Sequence, residues 1–283
     1  MTALTLSTAV SATVERIYAA HAARAATTGD RPHLGASLLG HECLRYLFYV
    51  FRWQTDPPEG RLARLFETGH REEARVIAEL RAIGVDVQDR DPATGDQYRF
   101  TTLGGHIAGS CDGIIESGLL EAPKARHLLE LKTSNARQFA DLQRKGVAAA
   151  KPLHLTQIEV YLAAFGLERA YYLCVCKNTD ELYAERLART PGAAEAALAR
   201  AEPVVFAGHP RDVPRLSEHP GWHACRFCSA RAVCHDGAPP RRHCRSCAQA
   251  RPDPDGGWTC LHWGKSLDRR RQQHGCPDWR AWP

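Results

Sequence analysis

His106–Ile115 reads HIAGSCDGII and His127–Ser134 reads HLLELKTS, two short β-prone segments with a Gly- and Pro-containing stretch between them. On a strand, positions i and i+2 project from one face, so Glu130 and Lys132 point together while Leu131 turns to the core. Asp112 ends the first segment, where Gly113 permits a sharp bend, and 17 residues separate it from Glu130. Two carboxylates on adjacent strands converge on one hard divalent cation, Mg²⁺ or Mn²⁺. A lysine beside them positions an attacking water or helps to deprotonate it, and the ion acts as Lewis acid. Taken alone, E-x-K on a strand is a common solvated pattern, so its surroundings decide.

Working outward, VDVQD (Val85–Asp89), YRFTTL (Tyr98–Leu103) and AYYLCVCKN (Ala170–Asn178) are further strand candidates bounded by turn residues. Residues 1–26 predict an Ala-rich helix and residues 27–34 a loop. A second helix is expected from Ser37 as N-cap through ECLRYLFYVFRW, ended by DPPEG at Asp56–Gly60. From Arg61 to Gly84, Leu62, Leu65, Phe66, Val76, Ile77 and Leu80 recur at helical spacing among charges, which predicts an amphipathic helix. Pro152–Phe165 reads as a helix closed by Gly166, and Pro191–Glu202 as another. Helices, then strands, then a helix and a further strand predict an α/β fold, a mixed sheet flanked by helices.

Two features join the carboxylates. His70, in FETGHREE, lies on the amphipathic helix with Glu73 one turn on, so both can face the sheet. Gln157 and Tyr161 are i, i+4 on a helix and share a face. A lone helical His is commonly structural; the order G-H, G-x-x-D-G, E-x-K, Q-x3-Y is what makes the set specific.

That order, Gly69-His70, Asp112, Glu130-x-Lys132 and Gln157-x3-Tyr161, resembles the RecB-like branch of the PD-(D/E)XK nucleases over roughly Ser37 to Cys234. The resemblance implies a restriction-endonuclease-like sheet and a Mg²⁺- or Mn²⁺-dependent deoxyribonuclease. It further implies that His70, Asp112 and Glu130 bind the metal, that Lys132 is catalytic, and that Gln157 and Tyr161 support DNA or the site. Cys111 departs from the apolar residue or proline common before the first acidic motif, a mild change because Cys behaves as a small hydrophobe.

Eleven cysteines need a reason, and seven fall in the last 59 residues. A reducing cytoplasm disfavours disulfides, so clustering points to metal. Cys225-x2-Cys228-x5-Cys234 offers three thiolates within ten residues, one short of a [4Fe–4S] cluster or a closed zinc site, and spacing alone does not choose between them. Iron–sulfur nucleases of the superfamily, the CRISPR-associated and AddB-type members among them, place one Cys before the catalytic motifs and three after. The resemblance therefore implies a [4Fe–4S] cluster with Cys43 as fourth ligand, stapling a very long loop. Cys174 and Cys176 alternate along an apolar strand and read as core thiols.

Residues 236–283 read as a second, small module joined to the nuclease domain of residues 1–235 by the linker DGAPPRR (Asp236–Arg242). It is too short and polar to fold on its own core, and Cys244-x2-Cys247-x12-Cys260 points to a zinc-ribbon-like Zn²⁺ site. Cys276 is the first choice of fourth ligand, with His262 and His274 as competitors, and Trp258, Trp263 and Trp279 form the small apolar filling. From Asp236 onward nine Lys/Arg stand against five Asp/Glu, which gives +4 of the net +5 and leaves the body near neutral. Two roles follow for this module. It grips DNA through Arg241, Arg242 and Arg269–Arg271, in which case truncation after Gly237 leaves a folded nuclease of weaker affinity; or it is a structural cap.

With 44% hydrophobic and 24% charged residues, and no apolar run of about 18, the chain has the composition of a soluble globular protein without a membrane span. Glu15 and Arg16 interrupt the apolar N-terminal positions, which argues against a signal peptide, so the expected location is cytoplasmic.

Three functions compete. The first is a DNA exonuclease acting on ends or single strands in phage or bacterial recombination, repair or spacer acquisition. The second is a non-catalytic DNA-binding protein, which the intact Asp112, Glu130 and Lys132 oppose. The third is a subunit working with a helicase, recombinase or integrase; the chain has no G-x4-G-K-[ST] motif, so unwinding would fall to a partner.

Overall fold

The computed structural model describes residues 11–28 and 30–282; the start of the expected N-terminal helix, residues 1–10, lies outside them. Helix α1 covers Ala12–Thr28, and the short β1 (Leu34–Gly35) follows. Ser37 does not start a helix. It sits in a 3-10 turn, Ala36–Leu38, and α2 begins only at Leu44, running to Phe51. Its N-cap is Cys43, whose sulfur accepts the N–H of Tyr46 at 3.4 Å. Helix α3 (Gly60–Ala82) matches the expected amphipathic segment and buries Val76, Ile77 and Leu80.

Strands β2 (Asp86–Gln88) and β3 (Arg99–Thr102) precede the deciding stretch. HIAGSCDGII is two strands, not one: β4 (Ile107–Ser110) and β5 (Gly113–Ser117), in different sheets, with Cys111 and Asp112 at the crossing. Strand β6 (His127–Ser134) leads into α4 (Ala136–Ala150), a helix beyond those expected from the sequence. Then come α5 (Pro152–Ala164), β7 (Arg169–Cys176), the unforeseen edge strand β8 (Leu182–Ala188) and α6 (Ala193–Phe206). Helix α6 passes through Pro203 and does not stop at Glu202.

The main sheet has the order β2-β5-β6-β7-β8, with β6 and β7 parallel and the other pairs antiparallel. A parallel pair needs a crossover, which α4 and α5 provide. A smaller sheet, β1-β4-β3, stands beside it. Helix α3 covers the face carrying Leu129, Leu131, Leu173 and Val175. The opposite face, with Leu128, Tyr172 and Cys174, packs on a core that includes Phe139, Leu142, Ile158 and Leu162 of α4 and α5. Helix α5 is buried over most of its circumference, so its polar residues point into protein.

Beyond α6, two short helices, α7 (His223–Arg226) and α8 (Arg231–Cys234), carry three cysteines. Strands β9 (Ala250–Pro252), β10 (Trp258–Cys260) and β11 (Lys265–Ser266) form an antiparallel sheet, and α9 (Arg269–Gln272) ends the described elements. Cys247, Ala250, Trp258 and Leu267 belong to the same apolar cluster as Phe48 and Phe51 of α2. Arg52 is fully buried and donates to the carbonyls of Arg245, Ala250 and Ala207 at 3.3, 3.1 and 2.7 Å. Arg245, also buried, donates to Phe51 and Pro32 at 2.9 and 2.6 Å. Gly104 (φ +62) meets Gly256 so closely that a Cβ on Gly104 would lie 2.2 Å from the Gly256 nitrogen. These contacts join the C-terminal residues to α2 and to the loop before β1. Among the described residues no helix is long and apolar enough to cross a membrane.

Candidate active site

Strand β6 projects Glu130 and Lys132 from one face, as their i, i+2 spacing requires. The Glu130 side chain is wholly buried, and its Oε1 pairs with the Lys132 ammonium, which also donates to the Leu131 carbonyl at 3.1 Å. Its Oε2 is buried without a hydrogen-bond partner among the described residues. A carboxylate oxygen in that state is expensive unless a cation or proton meets it.

Asp112 reaches this strand from the crossing between the two sheets. Its Oδ2 accepts the backbone N–H of Leu131 at 2.7 Å, which fixes the two acidic residues side by side. Burial pushes Glu130 up to about 7; Lys132 opposes the rise, while Asp112 and Glu73 add to it. Burial alone would lower Lys132, but Glu130 and Asp112 outweigh it and hold the ammonium above its ordinary value. Glu73 is likewise raised, by burial and by Asp112, with His70 and Lys132 pulling the other way.

The α5 residues complete the floor. Tyr161 is buried, donates its hydroxyl to the Ser110 carbonyl at 2.8 Å and lies 3.4 Å from the Gln157 amide nitrogen. Burial, then Glu130, keeps its phenol well above the usual range, so it remains a donor. Gly109 makes room for it: a Cβ there would lie 2.7 Å from the Tyr161 hydroxyl.

One cavity of about 460 Å³ is lined by His70, Glu73, Asp112, Gln157 and Tyr161, together with Arg31, His33 and Arg99. A smaller one, about 160 Å³, is lined by Glu73 and Lys132, so Glu73 borders both. His70 stands at the rim, largely exposed, with Nδ1 3.5 Å from Glu73 Oε2. Glu73, noticed in the sequence only as a neighbour of His70, is thus part of the acidic wall, and Arg31, His33 and Arg99 had no sequence signal at all. The donor chemistry suits a hard divalent cation: carboxylate oxygens, one orphaned.

The cysteines fall into two sets. Burial raises the Cys228 thiol, and Cys43, Cys234 and Cys225 add to the rise. Cys244 is pushed up to about 11 by burial and by Cys276, Cys247 and Cys260. These last four line a common small cavity with His262. Three of them (Cys244, Cys260, Cys276) border a larger one, about 680 Å³, with His274. The Cys247 sulfur accepts the Gln249 N–H at 3.5 Å. Cys174 and Cys176 are buried on β7, as core thiols should be. Among the described residues, no three His, Cys, Asp or Glu side chains are gathered closely enough to hold a metal ion as they stand.

No family model matches the chain, and no curated protein does. Among solved structures, the crystal structure of SSO0001 aligns with a TM-score of 0.49 at 14% identity, covering 79% of this chain and 96% of its own. An alkaline exonuclease from Laribacter hongkongensis (LHK-Exo) aligns at 0.41, and its complex with dAMP at 0.42. Each is 14% identical and covers 67% of this chain and 90% of its own. These are likenesses of outline.

Proposed function

We propose that the chain is a Mg²⁺- or Mn²⁺-dependent deoxyribonuclease of the PD-(D/E)XK type, an exonuclease hydrolysing phosphodiester bonds. One observation carries this reading: buried Glu130 has one oxygen on Lys132 and the other unpartnered among the described residues, beside Asp112, which lines the cavity. Asp112, Glu130, Glu73 and His70 would hold the ion; bound there, it would polarise the phosphate and lower the pKa of a water. Lys132 holds its positive charge beside the reacting phosphate and orients the water. Tyr161 and Gln157 fix the Asp112 approach through Ser110 and face the nucleic acid.

Cys43, Cys225, Cys228 and Cys234 are proposed to hold a structural [4Fe–4S] cluster, and Cys244, Cys247, Cys260 and Cys276 a structural Zn²⁺. The cysteine spacing and the N–H···S bond to Cys43 support the first assignment, and the cavity shared by Cys244, Cys247, Cys260 and Cys276 with the N–H···S bond to Cys247 supports the second. The proposed setting is cytoplasmic, in phage or bacterial DNA recombination, repair or spacer acquisition, alongside helicase, recombinase or integrase partners.

End-labelled linear and closed circular DNA incubated with Mn²⁺ or with EDTA tests the reading. Loss of linear DNA from its ends with Mn²⁺ alone is expected. Intact linear DNA with every divalent ion tried would remove the nuclease, and equal cutting of the circle would remove the exonuclease.

A further inference from the structure

The cavity lined by Asp112 and Glu73 also has a cationic lining. Arg31 lies just before β1, His33 one residue before it, and Arg99 opens β3, where it pairs in register with Ser110, two residues from Asp112. All three side chains line the cavity that Asp112 and Glu73 line. Among the described residues neither Arg31 nor Arg99 makes an ion pair with a carboxylate, whereas many of the surface arginines do.

His33 contributes a neutral donor. Burial, then the charges of Arg99, Arg31, Arg245 and Arg269, holds its pKa down to about 4. Its Nδ1 lies 3.5 Å from an Arg99 nitrogen, and a guanidinium can only donate. A neutral imidazole that accepts from Arg99 at Nδ1 carries its proton on Nε2.

The loop carrying Arg31 and His33 is pinned from behind. Trp53 donates its indole N–H to the Arg31 carbonyl at 2.7 Å, and Arg245 donates to the Pro32 carbonyl at 2.6 Å. The Leu34 N–H bonds the His106 carbonyl at 2.8 Å. A fixed backbone with exposed, unpaired guanidiniums at its edge is a preorganised anion site.

We infer that Arg31, His33 and Arg99 form a phosphate subsite. It grips a phosphate of the nucleic-acid strand next to the one presented to Asp112, Glu130 and Lys132. The inference rests on the nuclease reading. The phosphate is either an internal diester or a terminal monoester, and the two share the same ligand chemistry.

The test uses full-length protein, wild type and R31Q, R99Q and R144Q. Arg144 lies on α4, paired with Asp141 away from the cavity, and serves as control. Affinity for short oligonucleotides is measured across a salt series in EDTA, with hydroxyl, 5′-phosphate or 3′-phosphate ends, and KM and kcat are measured with Mn²⁺. R31Q and R99Q should each weaken binding about tenfold and flatten the salt slope by about 0.7 to 0.9. KM should rise more than kcat falls, and R144Q should change none of these. A loss confined to one phosphorylated end identifies a terminal phosphate, and an equal loss on all ends an internal one; both uphold the subsite. Slopes and affinities equal to R144Q overturn it. Cleavage by wild type with unaltered R31Q and R99Q removes the subsite and keeps the nuclease. Arg31- and Arg99-dependent binding without cleavage keeps the subsite and removes the nuclease.

Discussion

Asp112 Oδ2 accepts the Leu131 backbone N–H at 2.7 Å, so one carboxylate both ties the crossing between sheets to β6 and faces the cavity. The two duties separate by substitution. Asp112→Asn keeps an acceptor for Leu131 and loses the negative charge, so activity should fall to background with the melting temperature within a few degrees of wild type. Asp112→Ala should lose the same activity and about 1–3 kcal/mol of stability, because the buried N–H is left unpaired. Near-normal turnover by Asp112→Asn would remove Asp112 from the metal site.

Glu130 gives a pH dependence with a defined sign. Its folded-state pKa is raised, to about 7, so below that pH the carboxyl holds a proton that a cation must displace. Mn²⁺ affinity measured by calorimetry should fall up to about tenfold per pH unit below about 7 and level off above it. In metal-free protein the same shift makes the Glu130 contribution to stability fall as pH rises from about 4.5 through about 7, since the folded state binds the proton more tightly. Added Mn²⁺ should therefore raise the melting temperature most on the alkaline side. A Mn²⁺ effect that is flat with pH would show that Glu130 does not bind the ion.

Glu130→Ala and Lys132→Ala should both abolish cleavage. Lys132→Ala should also leave Glu130 as a buried acid without its cation, which drives it further toward the protonated form. It should therefore bind Mn²⁺ more weakly than wild type at neutral pH. Gln157→Ala, which removes none of the proposed metal ligands, should be milder in turnover. Unchanged Mn²⁺ affinity in Lys132→Ala would break the link between the pair.

The cysteine sets predict a metal inventory. Protein purified without oxygen should be brown and contain about four irons and one zinc. Cys43→Ser should bleach it, although Cys43 also caps α2 through the Tyr46 N–H. Because serine is a competent N-cap, loss of iron in that variant with α2 intact by circular dichroism separates ligation from capping. Iron unchanged in Cys43→Ser would remove Cys43 as the distant ligand.

Much of this was legible because the deciding residues are local. Period-2 spacing put Glu130 and Lys132 on one face, and the amphipathic run fixed α3. The break at Cys111–Asp112 was not legible, because Ala108, Cys111, Ile114 and Ile115 give an apolar string that reads as one strand; the two halves part only because they pair with different sheets. Strand β8 alternates between exposed and half-buried residues at a sheet edge, which left its apolar signal weak. Helix α4 contains Gly146 at φ +73, an interruption that dilutes its helical pattern. Arg31 and Arg99 meet at the cavity only through the β1-β4-β3 pairing, and no local spacing encodes that.

The C-terminal residues carry the last prediction. Asp236–Arg242 looks like a free linker, yet the indole of Trp258 lies 4.6 Å from the Arg52 guanidinium and 4.4 Å from that of Arg245. Burial lowers both guanidiniums to about 9, and each repels other arginines, so their acceptors and aromatic neighbours are what make them tolerable. Truncation after Gly237 removes Trp258, Arg245 and two of the three carbonyls that Arg52 uses, leaving only that of Ala207, and uncovers the apolar residues packed beneath them. Losing the Trp258 contact is worth about 3–5 kcal/mol by itself, or roughly 10 °C in melting temperature. The shortened chain should therefore aggregate or melt far below wild type. DNA gripping is better tested at Arg270 and Arg271, which border the larger cavity beside Cys276, because Arg241 and Arg242 already donate to the Thr55 and Cys276 carbonyls. Arg270→Gln with Arg271→Gln should leave melting unchanged; a flatter salt slope would give the cap a second role, and an unchanged slope would leave it structural. A truncated protein that melts with wild type would show that the buried arginines do not bind the two parts together.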